Sequence, residues 1–269
     1  MSSQKQDPKD SFTLVNGEIC GSRGVHVAPD DPGLILGMSV FETLRTYGGR
    51  LFRVDAHLKR LRGSLEQVGF PQVPPGLLLE ELRQCVGVRE GESMVRVTMT
   101  GGGLRVVHAC PIPVLPAVFR CATLEWETPS WLPGKVKHTS RAYSRLAVSS
   151  MGVDEVIWSD RTGCFLEGTT SNVFAVKDGV LCTPPIDGRI LPGVTRQVLL
   201  ELARSQGMPV HVGPLSRDEP MDEFYLSSTL KEISPIVELN GEAAAGSGPL
   251  GERLLQLFGE FARGESARG

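Results

Sequence analysis

Lys137-His138-Thr139-Ser140-Arg141, Phe165-Leu166-Glu167-Gly168-Thr169-Thr170-Ser171-Asn172-Val173-Phe174 and Leu191-Pro192-Gly193-Val194-Thr195-Arg196 follow one another between residues 137 and 196. The first segment sets a lysine where a helix is expected to begin. After it, Ala142, Tyr143, Leu146, Ala147 and Met151 recur at helical spacing, and Gly152 stops them. The second joins two short apolar strands, 164–167 and 173–176, and leaves a carboxylate at the end of the first. The third is a Pro-Gly turn feeding a helix with Val194, Val198, Leu199, Leu202 and Ala203 on one face and Gly207 at its end. Strands and helices mix here without strict βαβ alternation, and that pattern predicts an α+β fold.

Toward the N-terminus, residues 12–20 alternate around Asn16-Gly17, whose tolerance of positive φ predicts a hairpin. Residues 40–47 read as a strand that Gly48-Gly49 turns into 50–53. Asp55 is placed to cap a helix with Leu58, Leu61, Leu65 and Val68 on one face and Gly69 at its end. A second helix is expected over 77–86, then strands over 94–100 and 105–109. Pro111, Pro113 and Pro116 break the pattern and mark a linker. The expected organisation is a disordered start (1–11), an N-terminal α+β domain (12–114) and a C-terminal α+β domain (115–269). In the latter, strands are expected at 120–126, 155–159, 180–183, 210–212 and 223–227, before a flexible loop over 243–249 and a final amphipathic helix over 250–263.

The 269 residues suffice for a large core, with 41% hydrophobic and 22% charged residues. A net charge of −3 without a basic face excludes a nucleic-acid partner. No apolar run reaches the roughly 18–20 residues of a membrane span. Residues 1–10 are polar and lack the apolar core of a signal peptide. Six cysteines are scattered with no Cys-x-x-Cys pair. They predict no metal site, reduced thiols and a cytoplasmic setting.

The three central segments also carry chemistry. A desolvated lysine amine attacks carbonyls to give a Schiff base. A carboxylate such as Glu167 can keep a pyridine nitrogen protonated. The helix start at Gly193-Val194-Thr195 offers N–H groups and a favourable dipole to a phosphate. Together they suit an aldehyde cofactor with a pyridine nitrogen and a phosphate. Singly, each has a plainer reading: Lys137 as a surface lysine, Glu167 as a solvent-facing strand residue, Thr195 as an early helix residue, and Arg60 as a solvated helix arginine.

The series Gly37-Met38-Ser39-Val40-Phe41-Glu42-Thr43-Leu44-Arg45, His57-Leu58-Lys59-Arg60-Leu61, the lysine segment, Gly152-Val153-Asp154-Glu155, residues 167–174, residues 191–196 and Leu226-Ser227-Ser228-Thr229 resembles the class IV, or fold type IV, pyridoxal-phosphate enzymes. That family includes branched-chain and D-amino-acid aminotransferases and 4-amino-4-deoxychorismate lyase. The resemblance runs from about Asn16 to Leu239. It implies a two-domain fold with pyridoxal 5'-phosphate in the interdomain cleft, the C-terminal domain binding the cofactor. Lys137 would be the Schiff-base lysine and proton shuttle, and Glu167 the partner of the pyridine nitrogen. Arg60, Val194, Thr195 and Thr229 would hold the phosphate, with Asn172 beside the cofactor. Arg96 falls near the position of a substrate carboxylate, and Phe41 would line its apolar side.

The resemblance has departures. Leu36 stands where branched-chain enzymes have a tyrosine. Ala142 stands where they place the tyrosine that meets the cofactor's ring hydroxyl, with Tyr143 adjacent. The Arg-x-His of D-amino-acid enzymes is missing after Gly101-Gly102-Gly103, and so is the lyase's Arg-Gly-Tyr, although Arg141 and the short chain are lyase-like. The expected activity is transfer of an amino group between an amino acid and a 2-oxo acid by a homodimer. The alternatives are pyruvate elimination from aminodeoxychorismate and, more remotely, a non-catalytic carrier of the cofactor.

Overall fold

Asn16 and Gly17, at φ 51° and 90°, turn β1 (Phe12–Val15) back into β2 (Glu18–Ile19). In the computed structural model, residues 11–20, 24–127 and 134–268 are described. The disorder expected over 1–11 lies outside them except for Ser11. After α1 (Pro32–Ile35) come β3 (Ser39–Tyr47), β4 (Arg50–Leu51), α2 (Val54–Val68), α3 (Pro75–Gly87), β5 (Ser93–Thr100) and β6 (Arg105–Pro111). The strands form one sheet in the order β2-β1-β6-β5-β3-β4.

Alternation decides which face of this sheet is covered. Val40 and Leu44 of β3, Val95 and Val97 of β5 and Val107 of β6 point one way, and Leu61, Leu65 and Leu82 of the helices pack on them. Each fully buried leucine there contributes about 1.5–3 kcal/mol. Gly69, at φ 71°, ends α2 in the left-handed conformation. The start of α2 differs from expectation. Arg53, at φ 49°, is the N-cap, and Asp55 lies inside the first turn without a capping bond.

The second group of elements is β7 (Phe119–Glu125), α4 (Ala142–Met151), β8 (Glu155–Ser159), β9 (Phe165–Gly168), β10 (Asn172–Lys177), β11 (Val180–Thr183), α5 (Val194–Ser205), β12 (Val210–Val212), β13 (Glu223–Ser228), β14 (Glu232–Leu239), β15 (Glu242–Ala243) and α6 (Pro249–Arg268). The sheet runs β12-β11-β10-β13-β14-β7-β8-β9, and β9 also pairs with β10 through Glu167 opposite Asn172. The sheet therefore closes on itself. Parallel neighbours need a crossover: α4 lies between β7 and β8, and α5 between β11 and β12. Phe165 and Phe224, with ring centroids 5.3 Å apart, sit in the core.

The chain divides into two compact units. The first holds the described part of residues 1–114 together with 136–140 and the end of α6 from Ala262, and the second holds the rest. The sequence pattern assigns all of 115–269 to the C-terminal domain, so Lys137 changes sides. The reason is backbone pairing. His138 bridges Val40, the Phe41 N–H donates to the Lys137 carbonyl at 2.9 Å, and the Thr139 N–H donates to the Ser39 carbonyl at 2.8 Å. Residues 137–139 are thus an extended edge beside β3, and the helix expected to begin at Lys137 starts five residues later.

Candidate functional site

In the first unit, Glu42 lies on the core side of β3 between Val40 and Leu44 and is fully buried. A charge there must find partners. Arg60 answers it from α2 with a bidentate pair, Nε to Oε1 at 2.6 Å and Nη2 to Oε2 at 2.8 Å. His57, one helical turn earlier, approaches Oε2 with Nδ1 at 2.8 Å. An ionised carboxylate only accepts, so Nδ1–H is the donor. Burial pushes the Glu42 carboxyl up, but the Arg60 charge and the hydrogen bonds from Arg60 and His57 outweigh it and hold the group well below the usual carboxylate range. Burial lowers the His57 pKa against the pull of Glu42, and the charges of Arg60 and Lys137 push it the same way.

Lys137 is held by its backbone. Its carbonyl takes the Phe41 N–H, and its own N–H donates to Ser64 Oγ at 3.2 Å. Its Nζ lies 4.7 Å from the centroid of the Phe41 ring, and the guanidinium carbon of Arg96 lies 3.8 Å from the same centroid. Phe41 and Arg96 share the sheet face away from α2 and α3, because Phe41 is opposite Thr98 and Arg96 is two residues from Thr98. A guanidinium over that ring can receive a carboxylate, and an amine beside it can condense with a carbonyl.

In the second unit, Glu167 and Asn172 face each other where β9 meets β10. Residues 190–195 lie beside this seam. The Leu191 N–H donates to Glu167 Oε2 at 3.0 Å, and Asn172 Nδ2 donates to the Leu191 carbonyl at 2.9 Å. Gly193 follows, and a Cβ there would overlap Asn172 Oδ1. Only glycine lets the chain pass this close. Gly193 is the N-cap of α5 and makes no side-chain cap bond. Val194 and Thr195, both buried, open the helix. A twelve-residue helix starting without a side-chain cap or an acidic first turn directs N–H groups and a positive dipole end at whatever lies before it. Thr229 occupies the turn between β13 and β14.

Of the sequence-predicted residues, the first unit brings Lys137 and Arg96 to Phe41, while Arg60 pairs with Glu42 on the other face of β3. The second gathers Glu167, Asn172, Val194 and Thr195 at the seam, with Thr229 in its own turn. Tyr143, the neighbour of Ala142, stacks on Trp126 at 5.0 Å and packs near Trp158, so its ring belongs to an aromatic cluster. Sequence reasoning gave no role to Glu42, His57, Glu155 or Lys231. The signal for Glu42 was present: a charge on the apolar side of an alternating strand.

Residues 39–239 match the family model described as amino-transferase class IV. D-alanine aminotransferase of Staphylococcus aureus is 27% identical over 94% of this chain and 98% of its own length. The branched-chain amino acid aminotransferase of Escherichia coli superposes with a TM-score of 0.85 at 28% identity, covering 95% of each chain. A hypothetical aminotransferase of Mycobacterium tuberculosis in its PLP-bound form shares the fold at a TM-score of 0.86 and 24% identity, over 95% of this chain and 99% of that one.

Proposed function

The chain belongs to the class IV aminotransferase family, and from that premise we propose that it is a pyridoxal 5'-phosphate-dependent enzyme moving an amino group between an amino acid and a 2-oxo acid. The observation that carries the reading is the seam at Glu167 and Asn172, with the start of α5 beside it. A carboxylate beside a backbone N–H can accept from a cationic ring nitrogen, and the N–H groups of a helix N-terminus led by a close-packed glycine can donate to a phosphate. The cofactor, when bound, supplies an electron sink for the carbanion left by α-proton removal.

The residues do the rest. Glu167 keeps the ring nitrogen protonated. Val194, Thr195 and Thr229 take the phosphate together with Arg60, which Glu42 aims. Asn172 braces the loop at Leu191. Lys137 is the covalent anchor and the base that moves the α-proton. Arg96 receives the substrate carboxylate, and Phe41 supplies the apolar wall beneath it.

Leu34, Ile35, Leu36 and Met38 expose an apolar run that suits a second copy of the chain, so the working unit is a homodimer. Burial pushes the Cys85 thiol up to about 12, and the proposed setting of the enzyme is the cytoplasm. Among the described residues no helix is long and apolar enough to cross a membrane.

Borohydride reduction of the protein loaded with pyridoxal phosphate, followed by peptide mapping, is expected to place the pyridoxyl label on Lys137. A label on Lys135 overturns the assignment. A small apolar amino acid should convert the bound cofactor to its pyridoxamine form and a 2-oxo acid should reverse it, with Arg96→Ala impairing this half-reaction more than cofactor binding. Pyruvate release from aminodeoxychorismate, with no pyridoxamine form from any donor, would make the protein a lyase instead.

A further inference from the structure

Glu155 opens β8 and is 2% exposed. Its carboxylate lies under the turn that joins β9 to β10. The Thr170 N–H donates to Oε1 at 2.7 Å, the Thr170 hydroxyl lies 3.1 and 3.2 Å from the two oxygens, and the Ser171 hydroxyl lies 3.3 Å from Oε2. Lys231 reaches the same place from the turn between β13 and β14, its Nζ 2.6 Å from Oε2. The ammonium has three donors. Besides Glu155 it meets Thr170 Oγ1 at 2.7 Å and Ser171 Oγ at 2.8 Å. Gly168 makes this possible, because a Cβ there would stand 2.5 Å from Glu155 Oε1.

The two turns joined in this way are those that present the candidate cofactor residues. Glu167 precedes the first turn and Asn172 ends it, with the Gly168 N–H donating to the Ser171 carbonyl at 2.7 Å. Thr229 lies in the second, where the Lys231 N–H donates to Ser228 Oγ at 3.2 Å and Glu232 takes a left-handed φ of 55°. A buried ion pair adds little net stability over an apolar filling, but its directional bonds select one arrangement among several.

We propose that the Glu155–Lys231 pair is a positioning device that locks the turn carrying Glu167 and Asn172 to the turn carrying Thr229, setting the distance between the ring-nitrogen and phosphate contacts. The proposal deepens the functional reading above and rests on it for the identity of the ligand. Neither residue touches the cofactor, so the effect reaches the chemistry through Glu167, Asn172 and Thr229.

The test uses the full-length protein loaded with pyridoxal phosphate. Lys231→Met is expected to bind the cofactor roughly tenfold more weakly or worse. The pH dependence of the bound cofactor's visible absorption should shift, because ring-nitrogen protonation follows the placement of Glu167. The double variant Glu155→Gln/Lys231→Met removes both charges and remains readable if the single variant does not fold. It should recover the melting temperature but not the wild-type spectrum. A folded double variant with wild-type affinity and spectrum at every pH overturns the proposal. If the wild-type protein takes up no pyridoxal phosphate, the functional reading fails and the pair is read on the protein alone by hydrogen exchange. Faster exchange in Lys231→Met confined to residues 166–173 and 228–234 supports the lock, and unchanged exchange there overturns it.

Discussion

Glu42 and Glu167 are both strand carboxylates, one in each unit, and they are held in different ways. Glu42 is sealed in the core of the first unit and answered by a guanidinium and an imidazole. Glu167 is half-buried at the seam of the second unit, and a neutral backbone N–H from Leu191 orients it. A charge answered by a charge in the core bears on whether the unit folds. A half-buried carboxylate at a seam, beside a helix N-terminus, bears on what the site can bind. Changes around Glu42 should therefore act first on stability, and changes at Glu167 first on chemistry.

The largest test of that contrast is Arg60→Met, which leaves Glu42 buried without its guanidinium. It should cost about 3–5 kcal/mol of unfolding free energy, measured by urea denaturation, and adding Glu42→Gln should return most of the loss. A loss below about 1 kcal/mol would place Glu42 in a far more polar setting than its burial indicates. Next comes Glu167→Gln, which keeps the shape and removes the charge. Loss of a charge-assisted hydrogen bond worth about 1.5–3 kcal/mol should slow α-proton removal roughly 10- to 100-fold in single turnover. The urea midpoint should move much less than in Arg60→Met. Wild-type single-turnover rates in Glu167→Gln would remove the contrast.

The smallest effect is in pH. The folded-state pKa values of His57 and Glu42 both lie below their ordinary values of 6.5 and 4.5. Below each ordinary value the unfolded chain binds the proton first, so stability falls with acid. His57 acts from pH 6.5 downward and Glu42 joins from 4.5. For one group the slope is at most about 1.4 kcal/mol per pH unit. Replacing His57 with Gln should flatten the melting temperature between pH 6.5 and 4.5 and leave the steeper fall below it. An unchanged profile in that range would mean that His57 is protonated in the fold.

Much of this architecture is legible in the sequence because local patterns and packing agree. The Asn16-Gly17 hairpin, the α2 face ended by Gly69, and β8 and β11 all lie where periodicity puts them. The departures share a cause. The segment from Lys137 carries no helical face until Ala142, and only the open edge of β3, far away in sequence, makes 137–139 extended. The strand over Glu232–Leu239 escapes a local reading because Pro235 interrupts it, yet parallel pairing with β7 and antiparallel pairing with β13 hold it in the sheet. The candidate ligands can be named from their motifs. Glu155 and Lys231 cannot, because their pairing is a long-range contact that neither segment's local pattern encodes.

The edge strand at 137–139 also bears on how the protein is made. Synthesis of residue 114 does not finish the first unit, since the backbone of Ser39 and Phe41 waits for partners that emerge from the ribosome more than twenty residues later. A gene fragment cut at the proline linker would yield a sheet with an unpaired edge and without Lys137. The lysine reaches its place only as the chain returns to the edge of that sheet, so Lys137 and the partners of Ser39 and Phe41 arrive together.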